Sequence, residues 1–112
     1  MPRDLGYPDE SDIKPYRVRG CSMEGKYYDG DIVWVYTRYR KIDLNRFGIF
    51  HVEGCIYIKK MGYDKLISVN PDYDDISLNK EMDEDDWYVI GAVIDCMSKE
   101  EFEEILNIQW AK

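Results

Sequence analysis

The stretch RFGIFHVEGCIYIKKM, residues 46–61, constrains the fold of this chain more than any other. Apolar and polar residues alternate on both sides of Glu53-Gly54, a period of two that belongs to strands with one buried face. A helix would scatter the same residues around its circumference. The pair therefore predicts a β-hairpin turning at Glu53-Gly54. On its second arm Ile56 and Ile58 share one face, while Cys55, Tyr57 and Lys59 share the other and Lys60 points away from Lys59. An amine among uncharged neighbours is an unusual demand on a strand face.

The remaining pattern is also mostly β. YRVRG (residues 16–20) alternates, and DIVWVY (31–36) is a continuous run of β-prone residues. YDKLISVN (63–70) leads into the turn-rich NPDYDD as a second hairpin, with Asn70-Pro71 enforcing extended or turn geometry. DWYVIGAVIDCM (86–97) has the length of a core strand, and Gly91 within it marks a bulge or a close approach. The period changes after that. SKEEFEEILNIQW (98–110) has Ser98 and Glu101 in capping-box spacing, then Phe102, Ile105 and Leu106 at helical intervals, which predicts a short amphipathic helix packed on the sheet. Residues 1–15, with Pro2, Pro8 and Pro15, read as an extended arm or linker remnant, 16–97 as the β domain and 98–112 as the C-terminal helix.

Composition narrows the function. At 112 residues the chain fits one domain with a real core. A formal net charge of −8 repels phosphate backbones, so DNA contact is expected only through a separate domain. The acidic run MDEDD (82–86) reads as a solvated loop. No apolar window has the length of a membrane span, and MPRDLGYPDE lacks the basic and apolar regions of a secretory signal, so a cytoplasmic location and no membrane contact are expected. Cys21, Cys55 and Cys96 are odd in number and share no CxxC spacing, which argues for buried reduced thiols over a disulfide framework or a metal site. No metal or other cofactor is expected.

RGCSMEGKYYDGDIVWV (19–35) carries the candidate chemistry. Ser22 needs a positioned base, and the one histidine, His51, sits in an alternating strand where a hydrogen-bonded structural role is expected. A conventional triad with His51 is the weaker reading. The other route is a lysine amine kept neutral by burial, and Lys59 has the setting for it. The tyrosines of KYYDG are expected to pack.

Gly20-Cys21-Ser22-Met23, then Gly30-Asp31 and the strand IVWV, resemble the nucleophile block of the LexA-like repressor and signal-peptidase superfamily of serine-lysine peptidases. The resemblance continues in IYIKKM, which selects Lys59, in LISVNPDYDDI and in VIGAVI, so it spans about Tyr16 to Ile94. It implies a β-barrel-like fold of twisted antiparallel strands. It also implies Ser22 as nucleophile and Lys59 as base, an oxyanion hole from the backbone amides of Cys21 and Ser22, and support from Met23, Gly30 and Asp31. Gly25 stands where many relatives have proline. The absence of an anchoring helix favours the repressor branch, whose members cut their own linker upstream of the serine, dimerise, and in some cases answer an activating partner protein. Before Ser22 there is neither an Ala-Gly pair nor a helix-turn-helix, so the chain is expected to be part of a larger phage-type or SOS-type stress-responsive repressor. A non-catalytic dimerisation module with a vestigial dyad is the alternative.

Overall fold

The computed structural model describes residues 12–38, 41–78, 86–98 and 109–112. Eight strands lie in chain order: β1 (Ile13–Val18), β2 (Ile32–Tyr36), β3 (Phe47–Val52), β4 (Cys55–Met61), β5 (Lys65–Ile67), β6 (Ile76–Ser77), β7 (Trp87–Met97) and β8 (Gln109–Ala111). They form one sheet in the order β6-β5-β4-β3-β7-β2-β1-β8. Neighbours are antiparallel except β1 and β8, which run parallel. The sheet curls back on itself, because the Lys112 amide following β8 donates to the Ile56 carbonyl in β4 at 2.9 Å. This gives the barrel-like, mainly β architecture expected. No α-helix occurs among the described residues, and none there is long and apolar enough to cross a membrane.

The hairpin of β3 and β4 forms in the expected register, from Phe47 opposite Lys60 to Val52 opposite Cys55. Its turn puts Glu53 at φ 48° and Gly54 at φ 86°, the double left-handed conformation whose twist matches that of the flanking strands. The long strand β7 crosses the centre of the sheet and is irregular against both neighbours. Ile49 faces Gly91 while Phe50 faces Val89, and Trp34 faces Asp95 while Val35 faces Val93. Each step leaves an extra residue in β7 and bends it. Gly91 sits beside the first bulge for want of space: a Cβ there would lie 2.5 Å from the Tyr36 main-chain oxygen and 2.7 Å from Val35 Cγ1.

Alternation sorts the side chains into two cores, one on each face of β3 and β4. Ile49, Ile58 and the half-buried Ile56 join Val18, Met23, Tyr27, Val33, Val35 and Ala111. Phe50, Val52 and Tyr57 join Leu66 and Val89 on the other side. Fully burying a side chain such as Phe50 or Ile58 contributes roughly 2 kcal/mol. Burial on both faces explains why β3 reads FGIFHV, with few exposed positions.

Three expectations are corrected. Strand β1 takes in Ile13, Lys14 and Pro15, read above as the end of the arm, and residues 1–11 lie outside the described residues; Pro15 is tolerated because, among the described residues, β8 pairs only with Tyr16, Arg17 and Val18. The C-terminal helix is not borne out: Gln109–Ala111 form strand β8, since the open main chain of β1 captures them, and residues 99–108 lie outside the described residues. The thiols are not buried, Cys21 and Cys55 being half-buried and Cys96 exposed at the outer end of β7. The acidic run at 82–86 falls outside the described residues except for Asp86, whose carbonyl accepts the Glu53 amide at 2.8 Å.

Candidate active site

The loop after β1 is built as a compact turn by its own main chain. Amides of Lys26 and Tyr27 donate to the Met23 carbonyl at 3.0 and 2.8 Å, and Glu24 donates to Cys21 at 3.2 Å. Met23, with no exposed surface, roots this turn in the core beneath the site. Gly30, at φ +91°, brings the chain back so that its amide donates to the Val18 carbonyl at 2.7 Å. Asp31 closes the return with a carboxylate oxygen 2.9 Å from the Tyr28 amide, and Asp29 accepts from Gly20 at 2.7 Å. Local hydrogen bonding thus presents Ser22 at the tip of a braced loop.

Asn70 supplies a brace that sequence reading did not assign. Its amide donates to the Ser22 carbonyl at 2.9 Å, and its side-chain Nδ2 donates to the Cys21 carbonyl at 3.0 Å. Its Oδ1 accepts from Asp72 at 3.0 Å, which fixes which end of the side chain faces the serine loop. A trans peptide points its C=O and N–H in opposite directions, so anchoring the Cys21 carbonyl also sets the direction of the Ser22 amide. The sequence signal was Asn70-Pro71, legible only as a turn.

Lys59 reaches the same point from β4. Its Nζ lies 2.8 Å from Ser22 Oγ, across 37 residues of sequence, and the side chain is only 3% exposed. Burial lowers the amine from 10.5 to about 8, opposed by the negative charge of Asp75. Asp75 is itself held near by the Ser68 amide at 3.0 Å and by Lys65 at 3.6 Å. The Tyr57 ring stands 5.5 Å from the amine. Lys60 belongs to the opposite face, as the alternation requires. A third group completes the cluster: the main-chain oxygen of Lys112 is 3.0 Å from Ser22 Oγ and 2.8 Å from Lys59 Nζ. Beside it a cavity of about 340 Å³ opens between Tyr57, Tyr73 and Ile76.

The neighbouring thiol Cys21 and the alternative base His51 fare differently. The Cys21 thiol is pushed above its ordinary 9.0 by its hydrogen bond to Glu24 and by that carboxylate's charge, the wrong direction for a thiolate. His51 stacks on Tyr88 with ring centres 4.7 Å apart, and its buried Nδ1 has no hydrogen-bond partner. It is therefore held by stacking rather than by the hydrogen bond expected, while the Ser22 hydroxyl bonds to Lys59 and Lys112. Tyr27 packs edge-on against Phe47 at 5.4 Å, whereas Tyr28 is exposed. Among the described residues no three His, Cys, Asp or Glu side chains gather as metal ligands.

A model of the Peptidase S24-like family matches residues 5–94, a span that holds the serine loop, the lysine strand and Asn70. The chain belongs to the Peptidase S24-like family. This is a family of serine peptidases of the LexA and signal-peptidase superfamily. No curated protein gives a significant match.

Proposed function

We propose that this S24-like chain is the regulatory and dimerisation domain of a LexA-like or phage-type transcriptional repressor, with Ser22 and Lys59 as a dyad for intramolecular cleavage of a peptide bond. The observation that carries this reading is a desolvated lysine amine 2.8 Å from the hydroxyl of a serine in a braced turn. Neutral Lys59 takes the Ser22 proton as Oγ bonds to the scissile carbonyl carbon. The oxyanion that forms is met by the amides of Cys21 and Ser22, the latter oriented by Asn70 through the Cys21 carbonyl. Collapse breaks the C–N bond, and the amine leaves with the proton held on Lys59. Water, deprotonated by Lys59, then adds to the acyl carbon, and the C–Oγ bond breaks as Lys59 returns that proton to Ser22 Oγ. In this scheme DNA is bound by a separate domain, and no cofactor takes part.

The test is the pH-rate profile of a chain joined upstream to an Ala-Gly-containing linker. With the amine at about 8, the first-order rate rises about tenfold per pH unit below pH 8 and levels off above it. A flat profile between pH 6 and 9 counts against Lys59 as the base. Dimerisation is tested separately: sedimentation equilibrium is expected to give twice the 13.3 kDa chain mass, and a monomer at 100 μM, about the concentration of a weak dimer, removes that part of the reading.

A further inference from the structure

We propose that the cleft between the end of β1 and the start of β4 is a strand-accepting peptide site, and that residues 109–112 are its resident occupant, shielding the dyad until they withdraw. This rests on Ser22 being the nucleophile. The segment is held by main-chain bonds from both sides. On one flank it runs parallel to β1, with Gln109, Trp110 and Ala111 beside Tyr16, Arg17 and Val18, and the Arg19 amide donates to the Ala111 carbonyl at 2.9 Å. On the other, the Lys112 amide donates to Ile56 at 2.9 Å. Such contacts recognise an extended backbone whatever its side chains, as in strand addition to an open edge.

The side chains add a selection. Ala111 has no exposed surface and packs into the core that includes Val18, Met23 and Ile58. Trp110 turns outward beneath two guanidinium groups, 5.5 Å from that of Arg17 and 5.0 Å from that of Arg19. Lys112, which follows Ala111, delivers its main-chain oxygen to Ser22 and Lys59. A peptide that replaces this segment therefore needs a small apolar residue at the Ala111 position and an aromatic one before it.

The occupied site is not set to react. Ser22 has one hydroxyl proton, and it is given to the Lys112 oxygen, while Lys59 donates to both oxygens. The serine proton must instead go to the amine for attack. A strand of only three residues has few main-chain bonds to give up, which suits it to release.

The test uses the full chain and a small fluorophosphonate. Its reaction forms an Oγ–P bond, breaks P–F, releases fluoride and passes the serine proton to Lys59. Labelling of Ser22 is followed by intact mass in wild type, Ala111→Asp and Trp110→Ala, alongside hydrogen exchange at the Arg19 and Ile49 amides. The expected result is labelling at least tenfold faster in Ala111→Asp and several-fold faster in Trp110→Ala, with Arg19 exchange accelerated and Ile49 still protected. A synthetic peptide of residues 107–112 is expected to slow the variants again. Should Ala111→Asp fail to fold, Trp110→Ala carries the test, because Trp110 lies at the surface. Equal labelling of all three proteins, or fast Arg19 exchange in wild type, overturns the occupancy and leaves the dyad standing. No labelling once Arg19 is released overturns the dyad and this inference together.

Discussion

Replacing Ser22 by alanine, or Lys59 by alanine, is expected to slow cleavage of the linker-bearing chain by about a thousandfold, the scale of a lost general base. The two side chains touch at 2.8 Å and act on one proton, so the double variant is expected to be no slower than either single one. Lys59→Arg is expected to fail equally: a guanidinium keeps the positive charge but never gives up its proton near neutrality. Cleavage followed by electrophoresis at pH 8 decides this. Rates within tenfold of wild type for any of these variants would sink the dyad and favour a vestigial site.

The same lysine is expected to destabilise the fold, with a sign that depends on pH. Its amine lies at about 8 in the folded chain against 10.5 ordinarily, so between those values the unfolded state binds more protons and stability rises with pH. Below pH 8 both states are protonated, and the full displacement acts against folding, about 3 kcal/mol. Lys59→Met, which keeps the stem and removes the charge, is therefore expected to be more stable than wild type at pH 7. The gain is about 2 kcal/mol after the lost hydrogen bonds to Ser22 and Lys112 are allowed for. By pH 10 the advantage should shrink to nearly nothing. Urea unfolding at both pH values measures it, and a variant less stable than wild type at pH 7 would show that Lys59 is not held against a desolvation cost. A Lys59→Met variant that gains stability and loses cleavage would put function and stability in conflict at this residue.

Periodicity made the central hairpin and the face of Lys59 legible, because strand alternation is a local property: Ile58 and Lys59 must point in opposite directions wherever β4 lies. The Gly-Asp turn after Ser22 was legible for the same reason, since Asp31 closes it with bonds to Tyr28, three residues back in the chain. Asn70 was not, because a side-chain donor names no acceptor until its loop is folded against Cys21. The C-terminal segment misled. Helical spacing upstream of Gln109 suggested a helix to the end, yet residues 109–112 pair with β1 and β4, whose open main-chain groups outweigh local propensity. By itself, then, the sequence determined a β chain with a candidate serine loop and a lysine on an apolar face. Only the closed sheet set that lysine against that serine and laid Lys112 over both, because pairings between distant strands depend on packing across the whole domain and leave no local pattern to read.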